Sequence, residues 1–97
     1  MYTNSNKIFK RALKIIPEQT MTFAKAAHNY PENAPKYVKS AEGCWMYDVD
    51  GNKFLDFTMG LGTYVLGYNP PNVIKDVISE INNGVLYSLP TENEVIL

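Results

Sequence analysis

The sequence Asp48-Val49-Asp50-Gly51-Asn52 constrains the fold most, because it separates two runs of β-prone residues. These runs, 44–47 and 54–57, are rich in aromatic and branched side chains that favour a pleated, half-buried surface. The Asp-Gly pair is typical of tight turns, because glycine adopts positive φ without steric penalty. The pattern predicts a β-hairpin.

The same acidic residues also invite comparison with a calcium-binding loop. Placing Gly51 at the invariant glycine of such a loop puts Met46 and Phe57 at its first and last ligand positions. Both positions need oxygen donors, which these side chains lack. We therefore expect a hairpin turn and no metal site.

Around the hairpin, the sequence predicts an α+β arrangement of helix, small antiparallel meander and second helix. A run at 36–39 can add an outer strand, which gives a meander over 36–57. A glycine-rich loop and strand follow at 58–68. These glycines lack the Gly-Lys-Ser/Thr ending of a phosphate loop and the helix that directly follows a dinucleotide-binding loop.

Apolar periodicity predicts helices over 4–16 and 70–83. Asn4 or Ser5 can cap the first helix, and Pro17 ends it. Asn69 can cap the second, and Gly84 closes it. Its expected buried face is Val73, Ile74, Val77, Ile78 and Ile81. The intervening loop, 17–35, is long for a compact domain, and its hydroxyls and single cation suit a segment that faces a ligand, although simple surface packing fits equally well.

Thr91 and Glu94 form a capping box that predicts the start of a further helix over 91–97. Helices of less than two turns are not stable alone. The sequence therefore predicts a chain cut from a longer one.

Composition excludes several classes of function. Nine basic and ten acidic residues leave no field that attracts nucleic acid or anionic lipid. The uncharged stretch 57–74 contains too many glycines, prolines and asparagines for a membrane helix, and no signal peptide is recognisable, so we expect a cytoplasmic protein. The single cysteine, Cys44, is expected to be a buried small hydrophobe. The single histidine, His28, supports neither a hydrolytic triad nor a metal site.

The ordered set of motifs resembles the amino-terminal portion of the class III pyridoxal-phosphate (PLP) aminotransferases, the family that contains glutamate-1-semialdehyde aminomutase. The resemblance covers nearly the whole chain. Its residues are Phe9-Lys10-Arg11-Ala12, Ile16-Pro17, Glu42-Gly43, Tyr47 to Asn52, Leu55-Asp56-Phe57, Gly62, Leu66-Gly67-Tyr68, Pro70, Gly84, Pro90-Thr91-Glu92 and Glu94-Val95.

The resemblance implies part of the small lobe of a fold-type I homodimer with active sites at the subunit interface. Thr22, Lys25, Leu61 and Gly62 would contact or shape the substrate site. Tyr87, Ser88 and Leu89 would border the active site of the partner subunit. The small-molecule substrates would be an amino donor and a carbonyl acceptor.

The resemblance also implies what the chain lacks. The family's Schiff-base lysine and main PLP-binding residues match no position here, so we expect no catalytic residue and no transamination by this chain alone. Thr22 and Lys25 stand where the aminomutase has a serine and a carboxylate-binding arginine, and Leu61 replaces an aromatic residue. Lysine lacks the bidentate fork of arginine. The residues favour a transaminase; an aminomutase and a non-catalytic α+β interaction module are the alternatives.

Overall fold

A computed structural model describes residues 2–97 and shows helices arranged around one three-stranded antiparallel sheet with strand order β1-β2-β3. The elements are α1 (Thr3–Ala12), β1 (Val38–Glu42), β2 (Trp45–Asp48), β3 (Lys53–Leu55), the four-residue turn α2 (Met59–Gly62), α3 (Pro71–Asn83) and α4 (Asn93–Ile96). The predicted α+β class, with helix, meander and helix in that order, is confirmed.

The sheet is a meander centred on β2. In the β2–β3 hairpin, Trp45 pairs with Leu55 and Tyr47 with Lys53. On the other side, β1 pairs with β2 and contains an irregularity between Val38 and Ser40. The predicted outer strand at 36–39 is corrected to Val38–Glu42, because the chain reverses at Gly43, whose φ is +56°.

The hairpin turn is held by the carboxylate of Asp48, which is almost fully buried. Its Oδ1 accepts from the backbone N–H groups of Asp50 (2.9 Å) and Asn52 (2.8 Å), and its Oδ2 accepts from Asn52 Nδ2 (2.8 Å). Burial alone would raise the pKa of Asp48, but these hydrogen bonds outweigh it and lower the pKa below its usual value. The charged carboxylate thus serves as the acceptor for three donors of the turn.

The first helix differs from its prediction at both ends. It spans Thr3–Ala12, not 4–16, and neither Asn4 nor Ser5 caps it through its side chain. Instead, Asp50 reaches from the hairpin turn and accepts from the backbone N–H groups of Asn4 (2.7 Å) and Ser5 (2.9 Å). A carboxylate at a helix N-terminus satisfies free N–H groups and matches the helix dipole. This contact fastens α1 to the sheet.

The second long helix begins one residue later than predicted. Its N-cap is Pro70, without a side-chain cap. Asn69, the predicted cap, has its Oδ1 at 3.1 Å from the backbone N–H of Gly43, from which it accepts a hydrogen bond. The N–H of Gly84 donates to the carbonyl of Glu80 (3.2 Å) at the other end.

Three further predicted segments differ in detail from the structure. Residues 58–68 contain the α2 turn and no strand, because successive residues there have positive φ. The loop predicted at 17–35 contains three short 3-10 turns, Pro17–Gln19, Phe23–Lys25 and Ala27–Asn29. The helix predicted over 91–97 is limited to Asn93–Ile96.

Little apolar surface is buried. Among residues 2–97, the buried hydrophobic side chains are Ala12 and Ala26 alone. The predicted buried face of α3 is exposed along its whole length, and Cys44 is exposed too, because the described chain covers these side chains only in part. The radius of gyration is 17.1 Å, against about 13 Å for a compact chain of this size. Hydrogen bonds at Asp50, Asp56 and Gly43, not a central core, connect α1 and residues 58–69 to the sheet.

None of the helices within residues 2–97 combines the length and the apolar character that a membrane span requires.

The cap on α1 can be tested with Asp50→Ala. The substitution leaves the amides of Asn4 and Ser5 without their acceptor, and we expect α1 to lose about 1 kcal/mol. Amide hydrogen exchange at these two residues should accelerate about fivefold. Asp76→Ala, at an exposed position in α3, is the matched control; equal acceleration in both variants contradicts the cap.

The buried carboxylate of Asp48 predicts an acid dependence. Its pKa is lower folded than unfolded, so its stabilisation is complete above the unfolded pKa of about 3.9 and is lost as the pH falls through the folded pKa. The fluorescence of Trp45, the single tryptophan, should therefore remain constant down to about pH 4 and change below it. Asp48→Asn should weaken this change; an unaltered acid transition contradicts the assignment.

Candidate functional site

The α2 turn carries two of the predicted substrate residues, Leu61 and Gly62. Met59, Gly60, Leu61 and Gly62 have φ values of 48°, 57°, 62° and 90°, so the turn is left-handed. This conformation costs a non-glycine residue roughly 1–2 kcal/mol. Backbone strain of this kind is common at binding sites. The Leu61 side chain is 82% exposed, so the turn presents it to solvent instead of packing it.

Asp56, directly after β3, holds the start of this turn. Its Oδ1 accepts from the backbone N–H of Thr58 (2.8 Å) and its Oδ2 from that of Met59 (3.2 Å). The hydroxyl of Tyr68 donates to the same Oδ2 at 2.6 Å. The hydrogen bond from Tyr68, and then those from the two backbone N–H groups, lower the pKa of Asp56 against the opposing effect of burial. Burial and the hydrogen bond to Asp56 raise the pKa of Tyr68 to about 12. At neutral pH, the pair is therefore a carboxylate and a neutral phenol.

The end of the segment is fastened to the sheet through Gly43. The N–H of Tyr68 donates to the carbonyl of Gly43 at 2.9 Å. Gly67 lies so close that a Cβ added to it would be 2.9 Å from the same oxygen. Asp56 and Gly43 lie at the same end of the meander and thus fix both ends of residues 58–68 to that end of the sheet.

Thr22 and Lys25 lie together in one 3-10 turn. The N–H of Lys25 donates to the carbonyl of Thr22 (2.9 Å), and both side chains are exposed. Asn29 stabilises the turn by donating from Nδ2 to the carbonyl of Phe23 (2.7 Å). The fully buried Ala26 closes it underneath. The turn therefore exposes a hydroxyl and a cation three residues apart.

The residues before this turn form a second strained segment. Glu18 and Gln19 both have φ of 59°. Gln19 is buried, and its Oε1 accepts from the hydroxyl of Tyr37 at 3.1 Å. Glu18 pairs with His28 at 3.0 Å, with both side chains about half exposed. Sequence reasoning missed Gln19, because a lone glutamine after proline carries no periodic signal.

Tyr87, Ser88 and Leu89 lie in the connection between α3 and α4 and are exposed. Tyr87 packs on Gly84, where an added Cβ would lie 2.9 Å from its hydroxyl oxygen. An open depression of about 610 Å³ lies beside this connection and includes Tyr87 and Leu89 in its walls.

The structure therefore places the predicted site residues on three separate exposed segments. Thr22 lies with Lys25, Leu61 with Gly62, and Tyr87 with its two neighbours. No hydrogen bond or ion pair within the described part of the chain joins one segment to another. Residues 2–97 also contain no cluster of His, Cys, Asp and Glu that could hold a metal ion. Any site built from these segments needs surfaces outside these residues.

Comparison with known proteins gives a consistent result. The sequence pattern of the class-III aminotransferases matches residues 25–96. Glutamate-1-semialdehyde 2,1-aminomutase 1 of Lachnoclostridium phytofermentans is 37% identical over 93 residues, which are 96% of this chain and 22% of that protein. The chain thus spans about a fifth of the length of such relatives.

Solved structures share the fold. An omega-transaminase from Sphaerobacter thermophilus superimposes with a TM-score of 0.81 at 26% identity, over 94% of this chain and 20% of that one. A transaminase described with PLP bound superimposes with a TM-score of 0.85, also at 26% identity, over 98% of this chain and 22% of that one.

Gly60 and Gly62 of the α2 turn have different surroundings, which substitutions can test. In Gly60→Ala, the new Cβ would lie 2.8 Å from the Tyr64 ring and 2.6 Å from Thr63 Oγ1, in addition to the backbone strain. Gly62→Ala meets open space and adds strain alone. We expect Gly60→Ala to displace the NMR resonances of the Tyr64 ring, and Gly62→Ala to leave them near their original positions. Equal displacement in both variants contradicts this geometry.

Proposed function

The chain belongs to the class III aminotransferase family, and from that premise we propose that it forms the amino-terminal part of a PLP-dependent transaminase. The complete enzyme would move an amino group from an amino donor to an aldehyde or ketone. A cytoplasmic location and a homodimeric assembly are part of the proposal.

One observation carries this proposal. Nearly the whole chain, 98% of its residues, superimposes on a transaminase with a TM-score of 0.85. The exposed apolar face of α3 supports it, because a helix with such a face needs a partner surface. An independent interaction module would bury more than Ala12 and Ala26 against itself, so the family match favours the enzyme segment.

Within the proposal, the α2 turn shapes the substrate side of the pocket. Leu61 presents an apolar side chain from a turn that is hydrogen-bonded to Asp56, and Gly62 leaves open space beside it. An apolar side chain of this kind selects substrates by their shape.

Thr22 and Lys25 would contact the polar end of the substrate. Lys25 supplies a point charge, and Thr22 supplies a hydroxyl on the same turn. A lysine attracts a carboxylate but does not fix its plane as arginine does. Tyr87, Ser88 and Leu89 would complete the site of the partner subunit in the dimer.

The residues of this chain do not by themselves fit the cofactor. A lysine that carries PLP needs a dry pocket and a partner for the pyridine nitrogen. None of the lysines in the described range is buried: Lys7, Lys10, Lys14, Lys25, Lys36, Lys39, Lys53 and Lys75. We therefore assign no cofactor-binding role to this chain, and PLP would be held by other parts of the enzyme.

An aminomutase is the second candidate. The relative from L. phytofermentans, at 37% identity, carries that name. The lysine at position 25 and the leucine at 61 favour a transaminase, because both residues change the surfaces that the resemblance assigns to substrate binding.

A hybrid enzyme tests the proposal. Residues 1–97 replace the matching segment of the L. phytofermentans aminomutase, and amino transfer is measured with several donors and carbonyl acceptors in the presence of PLP. We expect transfer to substrates that carry a carboxylate. Lys25→Ala should lower kcat/KM for these substrates about tenfold, as loss of a charged hydrogen bond would.

Lys39→Ala, an exposed lysine in β1, is the matched control and should leave kcat/KM unchanged. The 97-residue chain mixed with PLP should show no stoichiometric change in the cofactor's absorbance. A folded hybrid without amino transfer overturns the proposal. A hybrid that isomerises glutamate-1-semialdehyde as fast as the unaltered L. phytofermentans aminomutase, and transfers no amino group between other substrates, favours the aminomutase instead.

A further inference from the structure

The Asp56–Tyr68 pair joins the two ends of the segment that carries Leu61. Asp56 stands at the end of the sheet and accepts from the amides that open the α2 turn. Tyr68 closes the segment and donates to the same carboxylate at 2.6 Å. We name this three-donor arrangement the Asp56 clasp.

We propose that Asp56 and Tyr68 are positioning residues, which hold the left-handed α2 turn so that Leu61 selects substrates by their shape. The inference rests on the proposed function, because Leu61 meets a substrate only if the chain is part of such an enzyme.

The left-handed conformation of the α2 turn needs contacts from outside the turn to stabilise it. Leu61 and Met59 have positive φ, which an unconstrained chain would relax. Packing cannot fix Leu61, because its side chain is 82% exposed. Within the turn, Thr63 Oγ1 donates to the carbonyl of Gly60 (3.0 Å), and this contact moves with the turn instead of fixing it to the sheet. The clasp fixes the turn to β3.

Both residues of the clasp are also attached to the sheet through their backbones. Asp56 is adjacent to β3, and its own N–H donates to the carbonyl of Cys44 at 2.9 Å. Tyr68 is fixed independently through its N–H bond to Gly43. A displacement of the carboxylate therefore changes the position of the turn relative to the sheet.

Charge strengthens the clasp. Hydrogen bonds to a carboxylate are shorter and about twice as strong as neutral ones. Asp56 is partly buried, so water competes less for it than for an exposed group. The neighbouring Tyr64 ring packs against Tyr68 at a tilt of 38° with centroids 4.9 Å apart, which restricts the phenol ring but adds no hydrogen bond to the carboxylate.

Two isosteric substitutions test the clasp in the hybrid enzyme. Tyr68→Phe removes the donor hydroxyl, and Asp56→Asn keeps one acceptor for Thr58 but removes the second oxygen. Leu61→Ala removes the selecting side chain. The readout is the ratio of kcat/KM between a bulky and a small carbonyl acceptor, since this ratio does not depend on the folded fraction.

We expect Tyr68→Phe and Asp56→Asn to shift the ratio about fivefold, in the same direction as Leu61→Ala. Adding Tyr68→Phe to Leu61→Ala should change the ratio less than about twofold, because the two act through the same side chain. Tyr64→Phe is the matched control and should leave the ratio unchanged.

The outcomes separate this inference from the proposed function. An active hybrid whose substrate ratio stays constant in Tyr68→Phe and Asp56→Asn overturns the positioning role but leaves the function in place. A hybrid with no amino transfer overturns the function. In that case, NMR of the 97-residue chain tests whether the clasp holds the α2 turn. A strong intraresidue HN–Hα nuclear Overhauser effect at Leu61 that weakens in Tyr68→Phe supports the clasp. An effect that is absent or unchanged overturns it.

Discussion

The carboxylates of the β2–β3 hairpin organise the rest of the structure. Asp48 accepts hydrogen bonds from backbone N–H groups of the turn, and Asp50 accepts from the first N–H groups of α1. Asp56 accepts from the N–H groups that begin the α2 turn. Each charge satisfies backbone N–H groups that have no partner in a regular element, and charged acceptors form the stronger hydrogen bonds. The hairpin is therefore both a piece of sheet and the frame from which the neighbouring segments are positioned.

This frame stands in place of a hydrophobic core. Domains of this size usually bury apolar side chains from several elements, yet here two alanines are the buried apolar residues of the described chain. The apolar face of α3 and the connection at 85–90 remain exposed. Hydrogen bonds of fixed geometry can place segments accurately without burying them. That property suits a lobe whose exposed residues would contribute to a site completed by other surfaces.

The sequence predicted the elements better than their attachments. The hairpin and α3 follow from local patterns, and the structure places both close to the predicted residues. The cap on α1 could not be predicted, because Asp50 lies 45 residues beyond Ser5 and local rules favour a cap from Asn4 or Ser5 themselves. The predicted burial of the apolar face of α3 was wrong for a different reason. Its amphipathic pattern shows that a face needs cover but does not show that this chain supplies it. The clasp could not be predicted either, because no sequence spacing links Asp56 to Tyr68. The left-handed turn lies where the sequence predicted a strand.

We propose that the exposed faces of this chain are surfaces for the rest of an aminotransferase. Amide hydrogen exchange of α3, measured in the chain alone and in the hybrid enzyme, tests it most directly. We expect rapid exchange along α3 in the isolated chain and strong protection of the same amides in the hybrid. Strong protection in the isolated chain, lost together with that of the sheet in one cooperative transition, would contradict it.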